Sequence, residues 1–312
     1  MHRDIDPPDT DRDRADLPRG GRSGHEPDRL DLTDDPREAL ARDLDLPRGR
    51  SRETVRRPPW QGELRGSQVR TLAAAGAFRV VPMDTLREPG ERLSLHRKDV
   101  ERLRAAGLVR TVPYVVGRTR TTLITLTDEG RAVLEASRRE REDRSFEQRF
   151  YAGIAKPREL AHDARVYQAY LRAAERIADR GGHVRRIVLE EDLKREYQTF
   201  LQEPNRGRRG ASGRSPREAE EIAQWAHDHR LPVVDDHVQL PDVRIEYETR
   251  DGRREIEDVE VMTPHYRGAH AAAKVRAGFT RYAAMGARLG GSSGAKRSGR
   301  AREARLAEEM LS

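Results

Sequence analysis

The chain of 312 residues contains no cysteine. Disulfides and thiolate metal sites are thereby excluded, and the composition fits a reducing compartment, so a cytoplasmic protein is expected. Long hydrophobic runs are also missing. No window holds the unbroken apolar stretch of a transmembrane helix, and the N-terminus lacks the apolar core of a signal peptide, so no membrane partner is expected. Apolar residues are scarce throughout: 35% hydrophobic, 5% aromatic, with a mean hydropathy of −0.92. That is little for one compact unit of this length, and part of the chain is predicted to be disordered. Lysine is rare, with five among the 61 basic residues.

What is abundant is arginine. The net charge is +7, yet residues 1–58 hold 15 acidic and 13 basic side chains, so the positive balance rides on the remainder. Arginine makes bidentate contacts to phosphate and to guanine edges, which favours nucleic acid as the partner. Residues 1–58, rich in Asp, Arg and Pro, read as a mixed-charge disordered tail in which Leu40 to Leu46 form at most a transient helix. Residues 286–312 read as a flexible basic tail able to add salt-sensitive affinity for DNA.

Between the tails the pattern is organised. Ser67 is placed to cap a helix through Ala75 with Gly76 as its stop, and Ala77 to Val81 reads as extended, with a short helix from Pro82 to Arg87. Ser94 is placed to cap a further helix that ends at Gly107. LVRTVPYVV and RTRTTLITL then flank a tight Gly117-Arg118 turn, and Thr127 caps DEGRAVLEA. Helices, a hairpin and a closing helix in that order resemble a winged helix-turn-helix over residues 59–140. The resemblance implies DNA contact. The third helix would present His96, Arg97, Lys98, Arg102 and Arg104, with Arg118 and Arg120 in the wing. Winged helices also serve as protein-docking modules, which remains the rival reading.

Residues 141–157 read as a charged helical linker ending at Pro157, with Phe146, Phe150 and Tyr151 docking two domains together. From 158 to 285 a helix over Glu159 to Asp179 precedes a strand, VRRIVLEED, and a helix, LKREYQTFLQE. Residues 205–218 form a Gly/Arg/Ser loop without the Gly-Lys-Ser/Thr of a phosphate-binding loop. His227, His229 and His237 have no zinc-site spacing and read as surface histidines.

The stretch from Leu240 to Tyr282 is the most suggestive. Val243, Ile245 and Tyr247 alternate with Arg244, Glu246 and Glu248, Asp251-Gly252 makes a turn, and a second run carries Val259 and Val261 between Asp258 and Glu260. A helix is expected from Gly268 to Ala284. Asp258 and Glu260 share a strand face, and Asp242 lies at the same end of the hairpin. Together they form a carboxylate set of the type that holds Mg²⁺ or Mn²⁺ while leaving positions for water and phosphate. Pro241-Asp242 followed by an acid-x-acid strand resembles the PD-(D/E)XK nuclease-like fold, with Glu260 standing where lysine is usual and Lys274 offered as its replacement. The winged-helix-like part, the His162-Asp163 segment and Asp258, Glu260 and Thr263 together resemble the replication-relaxation family of plasmid and mobile-element proteins. Glu190 or Glu191 is a further candidate acid.

The fold class expected is α+β, a winged helix-turn-helix domain followed by an α/β nuclease-like domain with disordered tails. The family resemblance implies DNA as partner, a relaxase or replication protein beside it, and a role in replication initiation or DNA mobilisation. Three readings stay open on sequence: a metal-dependent nuclease using Asp242, Asp258, Glu260 and Lys274; a non-catalytic accessory factor; and a transcription regulator that forms a homodimer through its C-terminal domain.

Overall fold

A computed structural model describes residues 35–86, 93–116, 119–140, 147–205, 217–262 and 269–283. They form a mixed α and β protein, and they belong to one compact unit. The first lobe opens with the short helix α1 (Glu38–Ala41) and the hairpin β1 (Glu53–Arg57) and β2 (Trp60–Leu64). Helix α2 (Gly66–Phe78), strand β3 (Val81–Pro82), helix α3 (Leu93–Ala105), strands β4 (Val109–Val116) and β5 (Thr119–Leu126) and helix α4 (Asp128–Ala136) follow. Their three-stranded sheet has the order β3-β5-β4.

The second lobe begins with α5 (Leu160–Asp179), β6 (His183–Leu189), α6 (Glu190–Gln202) and α7 (Ala219–Asp228). A small hairpin, β7 (Val233–Val234) and β8 (His237–Val238), leads into β9 (Val243–Glu248), β10 (Arg254–Met262), α8 (Ala269–Arg276) and β11 (Thr280–Ala283). The sheet order is β11-β10-β9-β6, antiparallel except for β10 with β11, which α8 connects. The alternation read in the sequence is realised here. Val243, Ile245, Val259 and Val261 are buried in the common core with α5, while Arg244, Asp258 and Glu260 project from the opposite face.

One apolar core runs through both lobes. Phe78 of α2 packs edge-on against Tyr167 of α5 at 5.0 Å between ring centres and lies 4.9 Å from Tyr170. Above this junction lies a strap that the sequence reading assigned to the disordered tail. Residues 35–58 are ordered: Leu40, Leu44 and Leu46 are buried, and the Pro36 carbonyl accepts the Tyr170 hydroxyl at 2.7 Å. Arg37 is buried because Asp35 accepts its guanidinium and the Leu86 carbonyl takes another of its N–H groups. Its apolar anchors are few and widely spaced, so no periodic pattern announces them. Residues 1–34 and 284–312, including the predicted C-terminal tail, lie outside the described residues.

Other expectations are corrected. The part of 141–157 that is described, 147–157, is not helical before the short 3-10 turn at Pro157. Its backbone donors bind the first lobe instead, Tyr151 to the Gly76 carbonyl and Gly153 to that of Leu126. The Gln148 amide exchanges two hydrogen bonds with the backbone of Ile187, capping the outer edge of β6 as a strand would. Gly76 does not end α2. It lies inside the helix, where a Cβ would come within 2.8 Å of Leu126 and 2.9 Å of Phe150. The helix predicted to Ala284 stops at Arg276, and after Gly278, at φ 77°, the chain becomes strand β11. Phe150 is buried and Tyr151 lies against Arg79, as expected of a docking cluster, while Phe146 falls outside the described residues.

The aromatic junction makes a paired prediction. The Tyr167 hydroxyl is buried without a partner among the described residues, whereas that of Tyr170 donates to Pro36. Tyr167→Phe should therefore leave thermal stability unchanged or raise it, and Tyr170→Phe should cost about 1 kcal/mol. Urea unfolding of the two variants beside the parent protein checks this, and equal losses would contradict it.

Candidate functional site

Helix α3 stands on a buried base. His96, Asp99, Val100 and Leu103 face inward, and Arg97, Lys98, Glu101, Arg102 and Arg104 are exposed. The expectation that His96 reaches outward is thus corrected: its Nε2 is 3.0 Å from the Met83 carbonyl. Asp99 fixes the helix to the strap and to α2, accepting from Ser67 at 2.9 Å, from Arg65 at 2.7 Å and from Arg52 at 3.3 Å. On the outer side Arg104 is paired with Glu101, and Arg102 is 4.0 Å from Asp99. Arg97 and Lys98 make no ion pair or side-chain hydrogen bond among the described residues. Arg120 is exposed on β5, and Arg118 lies outside the described residues.

The carboxylates at the sheet end, read in the sequence as a metal set, each meet protein donors. Asp242 Oδ2 accepts the Val261 N–H at 2.7 Å, extending the β9–β10 ladder with a side chain, and Oδ1 is 3.3 Å from His162 Nε2. Asp258 takes both arms of the Arg244 guanidinium at 2.8 Å. Glu260 is buried against Lys274 at 3.0 Å, and the same ammonium donates to the Leu240 carbonyl. Among the described residues no group of three His, Cys, Asp or Glu side chains is placed to hold a metal ion. Asp242, Asp258 and Glu260, expected from the sequence to hold Mg²⁺ or Mn²⁺, each accept from a different protein donor. Lys274, offered in the sequence as the replacement for the usual lysine, is ion-paired with Glu260 on the acid strand. Thr263 lies outside the described residues.

Arg244 explains what Asp258 does. The guanidinium that Asp258 holds also donates to the carbonyls of His229 at 2.6 Å and Arg230 at 3.1 Å. Those carbonyls follow α7, where Arg230 turns the chain at a φ of 51°. The left-handed turn costs energy for a residue with a Cβ, and the Arg244 clamp offsets it. Asp258 acts through Arg244 on the end of α7.

A second charged group lies where α5 and α6 begin. Glu191 pairs with Arg79 and with Lys156 at 3.2 Å, and Glu190 with Lys194 at 2.9 Å, while the Glu190 backbone N–H donates to the Asp242 carbonyl at 3.1 Å. The bond from Arg79, outweighing burial, holds Glu191 down at about 2. Burial pushes Asp163 up to about 6 against the pull of His162 and Arg79. At His162 burial alone would lower the pKa, but the bond to Asp242 and its charge hold it above the ordinary histidine value.

The sequence reading missed an aromatic group. Tyr197 and Phe200 on α6 meet Trp225 of α7 at 4.9 and 5.6 Å between ring centres, and the His229 ring stacks on Trp225 at 3.9 Å. The i,i+3 spacing of Tyr197 and Phe200 and the i,i+4 spacing of Trp225 and His229 were the available signals. His227 and His237 are exposed, as expected. No protein-family model, curated protein or solved structure matches the chain.

Two outcomes follow. Removing one partner of the buried Glu260–Lys274 pair leaves an uncompensated charge, so Lys274→Met alone should cost about 3–5 kcal/mol. Glu260→Leu with Lys274→Met should recover most of that in chemical denaturation; a near-neutral single variant would show that the pair does not support the fold. The raised pKa of Asp163 means stability fully present below the ordinary carboxyl value of 3.8 and lost as pH rises through about 6. His162, also raised, adds stability below its ordinary 6.5 that is lost as pH climbs through its folded value. Asp163→Asn should therefore raise Tm near neutral pH, with the gain shrinking as pH falls from about 6 to about 4. A pH-independent difference between the two Tm curves would refute the assignment.

Proposed function

We propose that this chain is a DNA-binding protein that engages a duplex through α3 and does not cut it. The observation that carries the reading is the exposed face of α3, with Arg97 and Lys98 making no ion pair among the described residues and Arg102 and Arg104 beside them on a buried, Asp99-anchored base. The element order α2, β3, α3, β4, β5, α4 with the sheet β3-β5-β4 supports a winged helix-turn-helix for residues 66–136. Such a helix enters a major groove with some of its basic side chains on bases and the others on phosphate.

In the second lobe Pro241-Asp242 opens β9 and Asp258-Val259-Glu260 lies on the adjacent β10, which supports a nuclease-like fold for it. The commitment of Asp242, Asp258 and Glu260 to Val261, Arg244 and Lys274 favours the non-catalytic form of that fold over a metal-dependent nuclease. With the resemblance to the replication-relaxation family, the role is that of an accessory factor in replication initiation or DNA mobilisation of a plasmid or mobile element. A relaxase or replication protein is the partner that role implies.

Mobility shifts with duplex DNA across a salt series test the reading. Arg97→Ala/Lys98→Ala should weaken binding and lower the salt slope by about one unit for each phosphate contact removed. Unchanged binding would move the interface away from α3. Supercoiled plasmid incubated with Mg²⁺, Mn²⁺ or EDTA should stay intact. Metal-dependent nicking abolished by Asp242→Ala/Asp258→Ala would restore the nuclease reading.

A further inference from the structure

We infer that the cleft at the free end of β10 is an anion site that takes the phosphate group of a nucleotide or of a nucleic-acid strand. β11 pairs with β10 only from Val259 onward, so among the described residues Arg254 to Asp258 have a strand neighbour on the β9 side alone. The notch left there is an open cleft of about 670 Å³. Arg176 and Arg180 at the end of α5 line it from the apolar face of the sheet, and Arg230 after α7 lines it from the opposite face. Both lining acids are already held, Glu257 by Arg176 and Asp258 by Arg244 at 2.8 Å. His227, also in the wall, is 3.5 Å from Asp228. Arg180 and Arg230 are exposed and make no ion pair or side-chain hydrogen bond among the described residues. Phosphate offers oxygens for two guanidinium forks, whereas one fork fills a carboxylate, and the volume suits a ligand of nucleotide size.

The backbone of Arg230 is the second observation. The Arg230 N–H donates to the His227 carbonyl at 2.9 Å and the Leu231 N–H to that of Ala226 at 2.8 Å, the motif that ends a helix with a left-handed residue. Glycine takes that conformation without cost, yet here an arginine holds a φ of 51°. Arg79, the other arginine at positive φ among the described residues, is bonded to Glu191 and lies over Tyr151. Arg230 has no such bond, so stability does not account for its side chain, and strain retained at a cleft points to use there. Arg244 fixes the turn through the Arg230 carbonyl and so places the side chain at the wall. On the other side the Tyr247 hydroxyl registers the local field. Burial and the charges of Glu255 and Glu257 raise its pKa, and Arg180 pulls it down. The site does not depend on the duplex contact proposed for α3.

Calorimetric titration of the full-length protein with pyrophosphate, ATP and a short oligo-dT tests the inference. Arg230→Gly and Arg180→Gln should each weaken the binding that is seen about tenfold. Arg230→Gly should at the same time leave Tm unchanged or raise it, because glycine relieves the turn, so lost binding is not lost folding. Arg165→Gln, on α5 but outside the cleft, and Arg97→Ala/Lys98→Ala should leave pyrophosphate binding as it is. Binding of pyrophosphate and ATP identifies a free nucleotide as the source of the phosphate; binding of oligo-dT alone, with the same two sensitivities, identifies a strand. No binding of any of the three, unaltered affinity in Arg180→Gln and Arg230→Gly, an equal loss in Arg165→Gln, or binding of a poly-glutamate peptide in their place would overturn the inference.

Discussion

Everything in this protein hangs on the contact between Phe78 and the pair Tyr167 and Tyr170. It joins the last turn of α2 to the middle of α5, and through those helices it unites two sheets that share no hydrogen bond. A chain with so few aromatic residues concentrates three of its largest side chains at one point, where they remove more apolar area from water than aliphatic residues would. The strap over residues 35–46 closes the junction, and the Gln148 segment seals the neighbouring sheet edge. The lobe that carries α3 and the lobe that carries the arginine-lined cleft are therefore held in one frame, and a ligand spanning both would meet a fixed geometry.

The second sheet shows how a highly charged sequence buries a sheet on both sides. One face is apolar beneath α5. The other pairs Arg186 with Glu246, Arg244 with Asp258 and Lys274 with Glu260. Burying these charges is costly, and each pair offsets the cost only because its lone pairs and protons are taken up locally. Such pairs add little net stability over apolar side chains, but they are specific: Arg244 accepts one register of β9 on β10 and one ending for α7. Acids that resemble a metal set in sequence are bonded here to protein donors, and the Arg244 that Asp258 holds reaches the His229 carbonyl beside the aromatic group.

Much of the architecture was legible. The α3 helix, the β4–β5 and β9–β10 hairpins, the Thr127 cap on α4 and α5 all follow from period and capping residues. The strap was not, because Leu40, Leu44, Leu46 and Val55 stand too far apart to set a period, and each is buried by residues remote in the chain. Gly76 looked like a helix end because the close approach of Leu126 and Phe150 has no local signature. Of the candidate site, the outward arginines of α3 were legible, but His96 was not, since helical spacing alone does not say which neighbour covers which arc.

By itself the sequence determined which residues alternate, where helices and turns begin, and that basic charge gathers outside the N-terminal segment. These depend on neighbours within a few positions, through backbone sterics and side-chain period. Tertiary structure alone decided the partner of each charge. Asp242, Asp258 and Glu260 meet Val261, Arg244 and Lys274, brought to them by strand pairing and helix packing. It also assembled Tyr197, Phe200, Trp225 and His229, from two helices, into one aromatic face. Electrostatics and stacking act through space over a few ångströms, and only the folded chain sets those distances.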